Sequence, residues 1–341
     1  MSEQAFRKKA RFSKLERNPM PTSYAHYKFG QRVVDLLPEK YQYFAYEYPE
    51  YFYPALHGPD VTFYLLTSPR VIEVGNELHL WSGKKYFEFA ANPILAEMEN
   101  GGEVRKSPQK ALQDVLCPKV VSVLEKPFRK GVQPQSVILG TRSNDAYGLW
   151  TNRTSEKKLA YLFGFLCHYA LDRTGHKFVN EMVDRGVAGH FEIEAEFDRL
   201  LMAMDGYDPL KHHVTDHIHP SIEMAENVKQ FFPGFSTMDM YGALVGQKNL
   251  LKLFNLPGRL PGVLYHSLTK AAGIPKYGEL LMPEKPDPKC YGTNKVLLEI
   301  FEATIPECVE FITELLDMVT GDKEWDERFQ WNFDGEFVGW E

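Results

Sequence analysis

The stretch from Ser155 to Leu201 constrains this chain most, because it reads as apolar helix interrupted by histidines and acids. "SEKKLAYLFGFLCHYAL" opens with Ser155, a residue suited to cap a helix N-terminus, and continues with apolar residues at helical spacing. Set into the stretch are His168, Asp172, His176, His190 and Glu194. Burying such groups unpaired costs on the order of several kcal/mol each, so hydrogen bonds, water or a metal ion must compensate. Residues i and i+4 share a helix face, so His168 and Asp172 point at one centre, and His190 with Glu194 repeats that geometry on the next helix. Gly175 is expected to end the first helix, leaving His176 where the chain curls back toward the same point. A second helix is expected from near Val187, with Ile193, Phe197, Leu200 and Leu201 on its packed face. Imidazole nitrogen and carboxylate oxygen without thiolate suit zinc in a catalytic setting, with other divalent ions open. Taken alone, a single H-x-x-x-D pair is more often a satisfied core histidine; two such pairs bracketing a third histidine favour ligands.

The rest of the chain also reads as helix. "YKFGQRVVDLLPEKY" has helical spacing up to Pro38, and further helices are expected at 220–231, 236–255 and 294–319. Eight of the thirteen residues from 41 to 53 are aromatic, which reads first as core packing and second as one wall of a substrate cleft. Residues 91–158 combine a helix near "PQKALQDVL" with Gly- and Pro-rich connectors that suggest a long loop. "LMPEKPDPKCYG" is a Pro-rich loop, and the aromatic, Gly-punctuated tail "FQWNFDGEFVGW" is not helical. Strand-like alternation is scarce, so the expected fold class is all-α.

Composition narrows the function classes. A net charge of −7 disfavours a protein that coats nucleic acid with cationic side chains. Cys117, Cys167, Cys290 and Cys308 lie too far apart for a zinc ribbon or a redox pair, and read as free thiols. Residues 1–19 carry six Lys or Arg against two Glu with no apolar stretch behind them, so no signal peptide is recognised and a cytoplasmic location is expected. The longest apolar run, residues 159–167, is too short to cross a bilayer. No His-Asp dipeptide, E-x-x-H, H-E-x-x-H, phosphate-binding glycine loop or G-x-S-x-G occurs, which leaves di-iron, nucleotide-loop and serine-hydrolase chemistry without a motif.

H-x3-D, then His176, then thirteen residues, then H-x3-E resembles the signature of the zinc-dependent phospholipase C family, whose all-helical fold is shared with fungal single-strand nucleases. "PTSYAHYKFG" at 21–30 is similar to the opening of the small bacterial members and puts His26 in the place of their first ligand histidine. "HGPDVTFY" supplies Asp60 and "NELHL" supplies His79, so eight ligand-type residues recur in the family's order over residues 20–200. The resemblance implies a helical bundle with a metal site in a cleft, formed by one domain over 20–341 behind a basic extension at 1–19. It also implies zinc as cofactor. Asp60, His79, His168 and Asp172 would hold one ion and His176, His190 and Glu194 a second, while Asp172 and His26 would share a third. Secreted members complete that third position with an N-terminal tryptophan; here nineteen residues precede Met20, which leaves the third ion open.

The implied reaction is phosphoester hydrolysis by a metal-bridging hydroxide. Bound metal lowers the pKa of water from near 16 toward about 7. Asp60 would be a ligand and also the proton acceptor. A lipid or a small molecule is the expected phosphoester substrate, with single-strand nuclease activity on the same fold as the alternative. A metal-stabilised binding or scaffold protein is the non-catalytic alternative. The histidines of "KHHVTDHIHP", with His213 and His217 four apart, read as a solvated interhelical loop before a second metal or phosphate site. Lys126, Arg129 and Lys130 read as a solvated basic turn before an anion attractor.

Overall fold

The computed structural model describes residues 23–100, 153–254 and 281–340, with positions 264, 267 and 270. The basic extension at 1–19, the helix expected at "PQKALQDVL", Cys117 and the turn with Lys126, Arg129 and Lys130 lie outside the described residues. The described chain is all-α, as its spacing led one to expect. Helix α1 spans Ser23–Leu36, α2 Glu39–Glu47, α3 Pro49–Ala55, α4 Pro69–His79 and α5 Gly83–Asn100. They are followed by α6 Arg153–Asp184, α7 His190–Met204, α8 Ile222–Val228, α9 Thr237–Phe254 and α10 Tyr291–Thr320. Among the described residues there is no strand; Ser82 with Asn332 and Trp331 with Phe337 form isolated bridges. No described helix is long and apolar enough to cross a membrane.

Helix α6 is the axis of the bundle. Every residue from Lys158 to Asp172 is buried, because α1, α2, α3, α5, α7, α8 and α10 all pack against it. A helix apolar on all sides is stable only in such surroundings. Its length corrects one expectation: α6 does not stop at Gly175 but runs on to Asp184. Glycine costs a helix interior about 1 kcal/mol, and burial of the turns on either side outweighs that. As a result His168, Asp172 and His176 stand at i, i+4 and i+8 on one face, and no chain reversal is needed to bring His176 in. The next helix begins at His190 rather than Val187, and Glu192 turns back to accept the Gly189 N–H at 3.1 Å.

The aromatic run at 41–53 is core. Tyr41, Phe44, Tyr48, Tyr51 and Phe52 are buried, and the Phe163 ring of α6 meets Tyr41 and Phe44 edge-on at 5.9 and 5.2 Å. Tyr48 donates its hydroxyl hydrogen to the Glu156 carboxylate. These five rings therefore support α6 from behind.

Two further elements are fixed by contacts distant in sequence. Asp198 of α7 accepts the N–H groups of Tyr24 and Ala25 at 2.9 and 2.7 Å, so a carboxylate 174 residues away sits on the first turn of α1. Burial pushes the Asp198 carboxyl up to about 7 against the pull of those two donors. At the other end of the chain, Phe333 is fully buried against Tyr169 at 4.9 Å. Burying a phenylalanine contributes about 1.5–3 kcal/mol, enough to hold a short tail against the bundle.

Candidate metal centre

Five elements bring the ligand-type side chains together. Helix α1 carries His26, the buried 3-10 helix Gly58–Tyr64 carries Asp60, and α4 ends on His79. Helix α6 carries His168, Asp172 and His176 on one face, and α7 brings His190 and Glu194 on its first turns. One potential ligand atom each from His26, Asp60, His168 and Asp172 lies within 4.8 Å of the others, as do those of His176, His190 and Glu194. His79 stands outside both groups but reaches Asp60, Nε2 to Oδ1, at 3.0 Å. Asp172 joins the two groups: Oδ2 lies 2.9 Å from His168 Nε2, and Oδ1 lies 3.1 Å from His26 Nε2 and 3.7 Å from His176 Nε2. In the second group Glu194 Oε1 lies 3.1 Å from His190 Nε2 and 3.4 Å from His176 Nε2. His26 sits with the first group, its ring stacked on that of His168 at 4.5 Å.

Hydrogen bonding orients the rings. His168 Nδ1 faces the Leu56 carbonyl at 3.2 Å and His79 Nδ1 faces the Gly75 carbonyl at 2.7 Å. A carbonyl can only accept, so in each ring Nδ1 carries the hydrogen and Nε2 offers its lone pair inward. Gly58 makes room for this: its φ is +49°, and a Cβ there would lie 2.1 Å from His168 Cδ2.

The donor set fits a cation. His79 Nε2, His168 Nε2, Asp60 Oδ1, Asp172 Oδ2 and Glu194 Oε2 are buried without a hydrogen-bond partner. Several lie near 3 Å from an opposite group yet are not aligned to bond it, which is the geometry of lone pairs aimed at a shared point. Buried polar atoms are otherwise nearly always satisfied, and cations held at the two groups would supply the missing partners.

The charges point the same way. Burial opposes charge on His176, but Asp172, Asp334 and Glu194 outweigh it and raise its pKa well above the ordinary value. His26 is likewise raised, burial being overcome by Asp172 and Asp60. Asp172 is held well below the carboxylate range, burial being overcome by His168, His176 and His26, and Glu194 falls to about 2 through His190 and His176. His168, where burial dominates, is lowered. Without a metal, a proton on His176 would supply positive charge beside the acids, so zinc uptake at pH 7 is expected to displace it. Calorimetric titration of zinc in buffers of different ionisation enthalpy is expected to show release of about one proton or more. An enthalpy independent of the buffer would contradict this.

The sequence model of the family described as zinc-dependent phospholipase C matches residues 25–238, more than half the chain. The chain belongs to the zinc-dependent phospholipase C family. All eight ligand-type residues fall inside that span, whereas the tail carrying Asp334 falls outside it. No curated protein and no solved structure matches the chain. Family membership, with two groups of residues able to hold metal, supports a zinc-dependent phosphoester hydrolase.

Some neighbours of the centre were not legible as such. His57 is fully buried, with Nε2 2.9 Å from His217 Nε2, and Tyr27 stacks on the His217 ring at 4.6 Å. The cluster at 211–220 is therefore only partly the solvated loop expected of it: His213 and His219 are exposed, while His217 turns inward. The only signal was the clustering itself. Asp334, 3.7 Å from His176 Nδ1, is one of two acids in an aromatic tail and carried no signal at all.

Proposed function

We propose that the chain is a phospholipase C-like hydrolase that cleaves the phosphoester of an amphiphile. One observation supports this above the others: Asp172 and Glu194, each with a buried, unpartnered carboxylate oxygen, border a small cavity of about 40 Å³ lined by both polar and apolar side chains. His26, Asp172, His176 and Glu194 supply its polar lining, and Leu171, Val179, Phe197, Leu297 and Ile300 supply its apolar lining. A substrate that joins a polar phosphoryl group to an apolar chain would match both kinds of lining. The aromatic run, committed to the core, is not needed for this.

In this proposal Asp60, His79, His168 and Asp172 hold one zinc, and His176, His190 and Glu194 hold a second. His26 shares Asp172, and a third ion there stays open to metal counting. Bound zinc would supply Lewis acidity, which polarises a phosphoryl oxygen and lowers the pKa of water. The protein's part is to place and to dry. Helix α6 fixes three donors on one face, the Leu56 and Gly75 carbonyls set the ring tautomers, and the buried pocket removes competing water. Asp60, between His79 and His168, is positioned to take the proton of an attacking water. The cytoplasmic location belongs to the same proposal, in keeping with the free, buried Cys167, Cys290 and Cys308.

The test is turnover by the zinc-loaded full chain on phosphatidylcholine vesicles, bis-p-nitrophenyl phosphate and single-stranded DNA, with His168→Ala as the inactive control. Release of the phosphorylated headgroup from the vesicles is expected. Cleavage of DNA alone would transfer the assignment to the nuclease branch of the fold, and zinc binding without turnover on any substrate would favour a scaffold.

A further inference from the structure

The C-terminal tail, outside the family match at 25–238, reaches the metal centre. After the 3-10 helix Glu327–Gln330, the chain folds back on itself between Trp331 and Phe337. Its placement is fixed from several directions. The Trp331 carbonyl accepts from Gly83 N–H at 3.0 Å, Phe333 N–H donates to the His79 carbonyl at 3.2 Å, and Asn332 exchanges bonds with Glu336. The Phe333 ring lies against His79 at 5.8 Å and His168 at 6.0 Å. Gly335, with φ +71°, is pressed so close to α6 that a Cβ there would sit 2.6 Å from the Arg173 carbonyl oxygen. The turn thus has little freedom, and Asp334 lies within it.

Asp334 Oδ1 stands 3.7 Å from His176 Nδ1, while His176 Nε2 faces Glu194 and Asp172. That Nδ1 is buried and has no hydrogen-bond partner. The other two inward-facing rings with such support, His79 and His168, use backbone carbonyls on the outer nitrogen. His176 has instead a carboxylate from a different part of the chain. A carboxylate behind a ligating imidazole fixes its tautomer and raises its basicity.

We propose that Asp334 is a positioning residue for the metal held through His176: its carboxylate attracts the Nδ1–H side of the ring, turns Nε2 toward Glu194 and Asp172, and tightens zinc at that position. The proposal rests on the reading of His176, His190 and Glu194 as a zinc site. In the full chain, competition with a chromogenic chelator measures each zinc separately, the His176-dependent ion being the one that His176→Ala loses. Asp334→Ala is expected to weaken that ion about 10- to 100-fold and leave the other unchanged. Adding Asp334→Ala to His176→Ala should then cost nothing more, because Asp334 acts through that ring. Asp334→Asn keeps the shape and an acceptor but loses the charge, and should fall between wild type and Asp334→Ala. Should the metal-free alanine variant fail to match wild type in circular dichroism, the asparagine variant decides. Wild-type affinity in whichever variant decides, or a further loss in the double variant, overturns the role of Asp334. A wild-type chain that takes up no zinc overturns the metal reading beneath it.

Discussion

Asp172→Ala is expected to empty the centre and reduce phosphoester hydrolysis by about three orders of magnitude or more, since metal-derived stabilisation of the reacting phosphoryl group is worth several kcal/mol. The residue merits this weight because it joins the two groups, with His168 on one oxygen and His26 and His176 on the other. Zinc content by atomic absorption and turnover should fall together. In the metal-free protein the effect should depend on pH. Unfolded, the acid ionises above its ordinary value of 3.8 and the imidazole is charged below 6.5. Folded, the acid is depressed and His26 and His176 are raised. The acid's contribution to stability is therefore lost as pH falls through its folded pKa, and the imidazoles' contribution is lost as pH rises through theirs. Between those ordinary values both are present. The gap in melting temperature between metal-free wild type and Asp172→Ala should be widest there and should narrow in alkali. A gap that is constant with pH would show that Asp172 is not paired with these rings.

Gly58→Ala should abolish zinc binding without removing a single ligand. Two penalties combine at this position. The backbone has φ +49°, which costs a residue bearing a Cβ about 1–3 kcal/mol, and the added methyl would fall 2.1 Å from His168 Cδ2. His168 cannot retreat, because its Nδ1 is tied to the Leu56 carbonyl and its ring is stacked on His26. The 3-10 helix must move instead, and Asp60 moves with it. Thermal denaturation of the metal-free variant should show the strain, and zinc titration should show the lost site. Full zinc affinity in a folded Gly58→Ala protein would mean that the approach of Gly58 to His168 is not needed for the centre.

Much of the fold was legible because helix formation is local. Apolar residues at helical spacing around 155–171, 190–204 and 294–319 announce helices that must bury one face, and the scarcity of alternation rules against sheet. The extent of α6 was not legible. Gly175 has a poor intrinsic preference for helix, and only the elements packed around it decide that the helix continues. Similarly, the aromatic run could have faced a ligand or a neighbour until α6 was seen to fill the space beside it.

For the centre, the sequence by itself determined the chemistry: the types of donor, their order, and the i, i+4 pairs that a helix necessarily brings to one face. Those are local consequences of covalent geometry and helical period. Only the tertiary structure decided which donors meet, because His26, Asp60 and His79 are joined to α6 by packing and not by spacing. It also decided which atoms stay unpartnered, since that depends on every carbonyl and side chain that the fold carries past them. The arrival of Asp334 from the far end of the chain is the clearest instance. A contact between residues 158 positions apart leaves no periodic trace in a sequence, as it is set by the burial of Phe333 and the close approach of Gly335 to α6.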